Sequence, residues 1–248
     1  MKKSITIIAL LLISFSRIQA QTAKEILQEL ELRMQGKSSY VEMSIIVERP
    51  KWRKEMALKS WSMGDKLGVS VITSPAKEKG TVFLIRDKEV WNFLPSIDRK
   101  IKMPPSMMMQ SWMGTDLTND DLVKQSSMIE DYAQKIIGEE VKEGLNCWKL
   151  ELVPFEDAPV VWGKIVIWID QEHYMQLRVE FFDEDNYLVN TMIASDIRKF
   201  GDKTLPSTIT VIPEDEDGNK TIISYDVWEF DIAIDEQMFT TNYMKRIK

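Results

Sequence analysis

The chain has 248 residues, 32 basic and 39 acidic, with a formal charge of −7 and 44% hydrophobic residues. Such an acidic balance excludes a general electrostatic attraction to nucleic acid or to anionic lipid. Cys147 is the only cysteine, so no intrachain disulfide is available and the fold must be held by burial.

The first twenty residues are expected to be a signal peptide. Lys2 and Lys3 precede an apolar run from Ile5 to Phe15, and Arg17-Ile18-Gln19-Ala20 offers a cleavage site before Gln21. The run is too short to span a bilayer as a helix. No cysteine stands directly after the cut, so no acyl anchor is expected. Removing these residues takes away Lys2, Lys3 and Arg17 and no acid, leaving 29 basic against 39 acidic residues. Residues 21–248 are then expected to form one exported, soluble domain.

The domain is expected to open with a helix. Thr22 and Glu25 have the spacing of a capping box, Ile26, Leu27, Leu30 and Met34 make one apolar stripe, and Gly36 ends it. Strand patterns follow. Val41, Met43, Ile45 and Val47 alternate with Glu42, Ser44, Ile46 and Glu48. Similar runs cover about 52–62, 66–73, 80–86, 89–94 and 99–103, separated by turn residues such as Met63-Gly64-Asp65.

Strands pause after Met103. Thr118 to Asp121 can cap a short helix through Leu122 and Val123, and a second helix is expected from Ser127 to Ile137. Strands resume at about 138–143, 145–153, 161–169, 175–183, 187–198, 204–213 and 219–230. An antiparallel sheet this long must twist and curl. The expected class is mainly β (α+β): an unclosed antiparallel half-barrel with an N-terminal helix and short helices as a lid.

Chemistry is sparse. His173 is the sole histidine; it sits in the turn Asp170-Gln171-Glu172-His173, and no G-x-S-x-G nucleophile motif accompanies it. Cys147 lies inside a strand pattern, as a small core residue would. The acidic runs Asp183-Glu184-Asp185-Asn186 and Glu214 to Gly218 read as hairpin tips, the second lacking EF-hand spacing. No phosphate loop is present. The expectation is no enzyme, no metal and no cofactor.

What stands out is the stretch MPPSMMMQSWMGTD, Met103 to Asp116, with five of the fifteen methionines in eleven residues. Methionine side chains re-pack around varied ligands. Met103, Met107, Met108, Met109, Trp112 and Met113, with Trp91 and Phe93, are the candidates for an apolar cavity and its lid. Arg99, Lys100 and Lys102, beside that mouth, are candidates to meet a headgroup or a membrane-bound partner; the bland alternative is a solvated strand edge.

Residues 91–122, WNFLPSIDRKIKMPPSMMMQSWMGTDLTNDDL, resemble the signature of the outer-membrane lipoprotein-sorting proteins of the LolA-like superfamily. The resemblance rests on Trp91, Pro95, Arg99-Lys100 before Ile101, Ser111, Met113-Gly114, Asp116 and Asp120-Asp121-Leu122. Lys79-Gly80-Thr81, Gly138-Glu139-Glu140, Cys147-Trp148-Lys149-Leu150, Trp168-Ile169-Asp170 and Phe239-Thr240 fit the same pattern. It implies an unclosed β-barrel with a helical lid around a cavity for acyl chains, in a non-catalytic periplasmic carrier. Implied partners are lipid or lipoprotein acyl chains, an inner-membrane transporter and an outer-membrane acceptor. The methionines at 107–109 depart from the family, where polar residues are common. The alternative reading is a protein-interaction module, an accessory subunit of an envelope lipid transporter or a stress sensor.

Overall fold

A computed structural model describes residues 21–87, 89–108, 110–121, 128–158 and 160–247. The expected signal peptide, Met109, Leu122, Val123 and Ser127 lie outside the described residues.

Helix α1 (Ala23–Gln35) starts at the expected capping box: Glu25 N donates to Thr22 Oγ1 at 3.2 Å, and Thr22 N donates to Glu25 Oε2 at 2.7 Å. At its end Gly36 adopts φ 63°, a left-handed conformation that suits glycine. The rest is one sheet. Its strands are β1 (Ser38–Arg49), β2 (Trp52–Met63), β3 (Leu67–Ser74), β4 (Val82–Arg86), β5 (Glu89–Leu94), β6 (Arg99–Lys102), β7 (Tyr132–Lys142), β8 (Leu145–Pro154), β9 (Lys164–Asp170), β10 (Gln176–Phe182), β11 (Leu188–Phe200), β12 (Lys203–Pro213) and β13 (Lys220–Phe230). The order is 6-5-4-3-2-1-13-12-11-10-9-8-7, so consecutive strands pair except β6 and β7, and β13 returns to β1. Among the described residues these end strands have no outer partner. This is an unclosed antiparallel half-barrel.

Twelve of the strands fall where alternation places them. The exception is the first half of β7. Residues Tyr132 to Ile137 form strand rather than the expected helix, pairing Tyr132 with Pro154 and Ile136 with Leu150. Ala133, Gln134 and Lys135 are good helix formers, but the cross-strand partner on β8 outweighs their propensity.

Cross-strand partners share a face, and the register follows one face across the sheet: Val179 opposite Met192, Met192 opposite Val211, Val211 opposite Thr221, and Thr221 opposite Val47. On this face, at the β7–β10 end, Ala23, Ile26, Leu27 and Leu30 of α1 pack against Leu150, Leu152, Ile165, Ile167, Ile169, Val179 and Phe181. We call it the helix face. The opposite face of β3–β5 buries Val69, Val71, Val82, Leu84 and Phe93 under Phe239, Met244 and Ile247 of the C-terminal tail.

Between the two ends, β12 and β13 pair only over Thr208–Val211 and Thr221–Ser224. Below that joint the strands part. Arg198 donates to the Tyr225 carbonyl there, and Phe200, Tyr225, Trp228 and Phe230 fill the space with ring contacts of 4.6 to 5.8 Å.

Of the described glycines, Gly163, just before β9, has the tightest surroundings. A Cβ there would lie 2.4 Å from the Asp183 carbonyl oxygen and 2.8 Å from Glu184 Cα. Gly163→Ala is expected to lower unfolding free energy by about 2 kcal/mol or more, read from the urea midpoint. Gly138→Ala, where a Cβ would meet nothing within 4 Å, should shift it by less than about 0.5 kcal/mol.

Candidate functional site

The methionine-rich stretch divides in two. Residues 111–118 form a small hairpin: Ser111 bridges Thr118, Trp112 N donates to Leu117 O at 2.7 Å, and Thr115 N to Trp112 O at 2.9 Å. Met113 and Gly114 occupy its tip with φ 54° and 82°. Trp112 points into the sheet. It is 5% exposed and packs against Ile45, Val47, Met56, Leu58, Ile72, Phe83 and Ile223, its ring 5.3 Å from that of Phe83. Val47 belongs to the helix face, so Trp112 and α1 cover opposite ends of the same face.

A nearly buried ion pair holds the hairpin down. Arg49, at the end of β1, donates to Asp116 through Nη2 at 2.8 Å and Nη1 at 3.1 Å, with side chains 13% and 6% exposed. Nη2 also reaches Gly114 O at 3.1 Å. Asp116 further accepts from Thr221 Oγ1 at 2.6 Å and donates its own N–H to that hydroxyl at 3.0 Å. Lys54, paired with Glu78 at 2.8 Å, donates to Met113 O at 3.2 Å. Thr118 and Asp121 cap each other reciprocally, Thr118 N to Asp121 Oδ2 at 2.7 Å and Asp121 N to Thr118 Oγ1 at 3.1 Å.

The preceding half behaves differently. Pro105–Met107 is a single 3-10 turn, fixed because buried Asn119 donates through Nδ2 to Met107 O and Gln110 O at 3.0 Å each. Met107 is 39% exposed; Met103 and Met108 are half-buried. Trp112, which follows this loop, is buried in the core. Two concavities of about 460 and 480 Å³ lie elsewhere, with polar walls that include Asp196, Arg198 and Asp226 in one and Arg33, His173 and Lys203 in the other.

The expected site residues therefore do not converge. Phe93 pairs with Val82, Val82 with Val71, Val71 with Lys59 and Lys59 with Glu42. Glu42 points away from the face of Met43 and Val47. Phe93 and, two residues earlier, Trp91 thus line the tail-covered face, with the sheet between them and Trp112. Lys100 and Lys102, opposite Phe93 and Trp91, follow them there. Arg99 alternates to the helix face. Lys102 pairs with Glu89.

Alternation along β1 and β11 does place other methionines on the helix face, in the gap between the two covers. Met34 packs on both the α1 cluster and the cluster around Val41, Trp228, Phe200 and Leu205. Met43 and Tyr225 bridge that cluster to the Trp112 cluster. Met192 and Met128 pack on the α1 side and Met113 on the Trp112 side.

The remaining chemical candidates have structural tasks. Asp170 accepts from Glu172 N and His173 N at 3.1 and 2.8 Å, folding the turn that carries the histidine. Cys147 is fully buried, and burial pushes its thiol up. Among the described residues no group of three or more His, Cys, Asp or Glu could hold a metal, and no helix is long and apolar enough to cross a membrane.

A family model described as an uncharacterized protein matches residues 64–246. No curated protein matches the sequence at a significant level. Among solved structures, a DUF1329 family protein from Desulfovibrio piger superposes with a TM-score of 0.83 at 20% identity, over 90% of this chain and 97% of that one. A domain named for outer membrane lipoprotein sorting, from Vibrio parahaemolyticus, gives 0.78 at 24% identity, over 90% and 98%. A LolA superfamily protein from Nitrosomonas europaea gives 0.75 at 21% identity, over 90% and 100%. The fold is thus that of the LolA-like half-barrels. The chain belongs to the family whose model spans residues 64–246.

Two outcomes follow for the site. Removing one partner of a nearly buried pair strands the other charge, so Asp116→Ala is expected to destabilise by about 3 kcal/mol in urea unfolding. Arg49→Met/Asp116→Leu should lose less than either single change. The second outcome concerns α1. Burial, with repulsion from Asp65 and Glu130, holds the Glu31 carboxyl up at about 7, above its ordinary 4.5. The folded chain then binds this proton more tightly than the unfolded one. Stability from this group is full below about pH 4.5 and is lost as pH rises through about 7. Glu31→Gln should raise stability at pH 8 by about 1 kcal/mol, allowing for solvent screening, and leave it unchanged at pH 4.

Proposed function

We propose that the chain is a non-catalytic envelope carrier that holds acyl chains of lipids or lipoproteins on the helix face, between α1 and the Trp112 hairpin. The observation that carries this reading is the continuous apolar face with two separate covers and methionines at their junction. Thioether side chains there can re-pack around a linear chain without breaking a hydrogen bond. Each methylene taken out of water contributes about 0.8 kcal/mol, so one acyl chain supplies ample affinity without a charged contact. The buried Trp112 Nε1 has no hydrogen-bond partner among the described residues, and an ester or carboxyl oxygen of the cargo would supply one. The half-barrel fold shared with LolA superfamily structures supports the same reading. In it the apolar leader, residues 1–20, directs export to the periplasm, where a membrane transporter donates the cargo and an outer-membrane acceptor receives it.

The test is uptake of a fluorescent fatty acid together with native mass spectrometry of the purified chain. Saturable uptake and a co-purified lipid are expected. Ala194→Trp, which adds bulk to a buried position of β11 on the helix face, should weaken uptake about tenfold or more with the melting transition retained. An empty protein with no saturable uptake would exclude the carrier reading and leave a protein-interaction module.

A further inference from the structure

We propose that the free edge of the sheet at β6 is a docking surface for an anionic lipid membrane, a task separate from holding cargo on the helix face. β6 ends the strand order, and among the described residues its outer side has no strand partner. Its four residues are Arg99, Lys100, Ile101 and Lys102. Arg99 and Lys100 have no ion pair among the described residues. Just beyond lie Lys245 and Arg246 of the C-terminal tail, brought to this edge by the Lys245 to Asp98 contact at 2.6 Å. Five cations thus gather against two carboxylates, Glu89 and Asp98, in a chain whose formal charge is −7. The acidic hairpin tips, Asp183 to Asp185 and Glu214 to Asp217, belong to β10–β13, well removed from β6 in strand order.

Charge alone would suit any acidic partner. The same edge also carries exposed aliphatic side chains. Ile97 is 56% exposed, Ile101 42% and Met107 39%. Apolar tips set among Lys and Arg match the boundary between headgroups and acyl chains, where cations meet phosphate and methylenes are buried. A four-residue edge strand gives a partner chain little backbone to pair with, which favours a lipid surface over an added strand. Long basic side chains can lie along the apolar tips with their charge directed to phosphate.

The experiment is co-sedimentation of the full chain with phosphatidylcholine vesicles, with and without phosphatidylglycerol. Binding is expected only to the anionic vesicles, and it should vanish near about 1 M salt, where charges are screened within about 3 Å. Arg99→Glu/Lys100→Glu should weaken it about tenfold or more, and Ile97→Ser/Ile101→Ser several-fold. Fatty-acid uptake measured without vesicles should be unchanged in both, so failure of docking and failure of the carrier reading stay distinguishable. Melting curves check the fold, and Arg99→Gln/Lys100→Gln repeats the comparison if the reversed charges disturb it. Equal binding to both vesicle types, no binding to either, or undiminished binding by folded charge variants would overturn the proposal.

Discussion

The bidentate contact between Arg49 and Asp116 is the constraint on which the arrangement of the helix face depends. It ties the end of β1 to a loop 67 residues away, and Thr221 on the neighbouring strand completes the knot. Taking a guanidinium and a carboxylate out of water is expensive, and the loss is offset only when the remaining donors and acceptors are used. Here they are: Arg49 also serves Gly114 O and Lys220 O, and Asp116 also serves the Thr221 hydroxyl. A contact so fully satisfied holds one geometry. Trp112, four residues before Asp116, is thereby delivered to a fixed place among β1–β4 and β13.

With one end of the helix face closed by a tryptophan and the other by α1, the apolar surface between them is bounded on both sides. Under the covers β-branched residues mix with unbranched ones, Ile45, Val47 and Ile72 with Met56 and Leu58 beneath Trp112, and Ile165, Ile167 and Ile169 with Leu150 and Leu152 beneath α1. Met34, Met43 and Met192 sit where the covers meet. Branched side chains keep their rotamers when a neighbour moves, and methionines adapt.

Much of this was legible from alternation alone. Charged and apolar residues take turns along β1, β2 and β11–β13, and the turns between them are marked by Gly, Asp and Asn. The β7 start was not legible, because Ala133, Gln134 and Lys135 favour a helix locally and only β8 decides otherwise. The site was less legible than the fold. Methionine density drew attention to 103–113, but Met107 and Met108 prove to be loop residues fixed by Asn119, while Trp112 is a core residue. Trp91 and Phe93 were near in sequence and lie across the sheet. Counting register from the short β4–β5 turn would have separated them from Phe83, because period-two parity survives a tight hairpin. Nothing local could have paired Arg49 with Asp116, since an ion pair of long sequence separation leaves no periodic trace.

The thin joint between β12 and β13 gives this sheet an uneven stiffness. Between the strands under α1 and those under Trp112, the other neighbouring strands share longer ladders: Asn190–Phe200 with Lys203–Pro213, and Ser39–Glu48 with Lys220–Phe230. Flexing concentrates where the fewest hydrogen bonds resist it, at Thr208–Val211 and Thr221–Ser224. The two covers ride on opposite leaves of that fold line, and β6 and β7 are not tied together at the far margin. The sheet is built as a book with a narrow spine, four residue pairs wide, with one cover resting on each page.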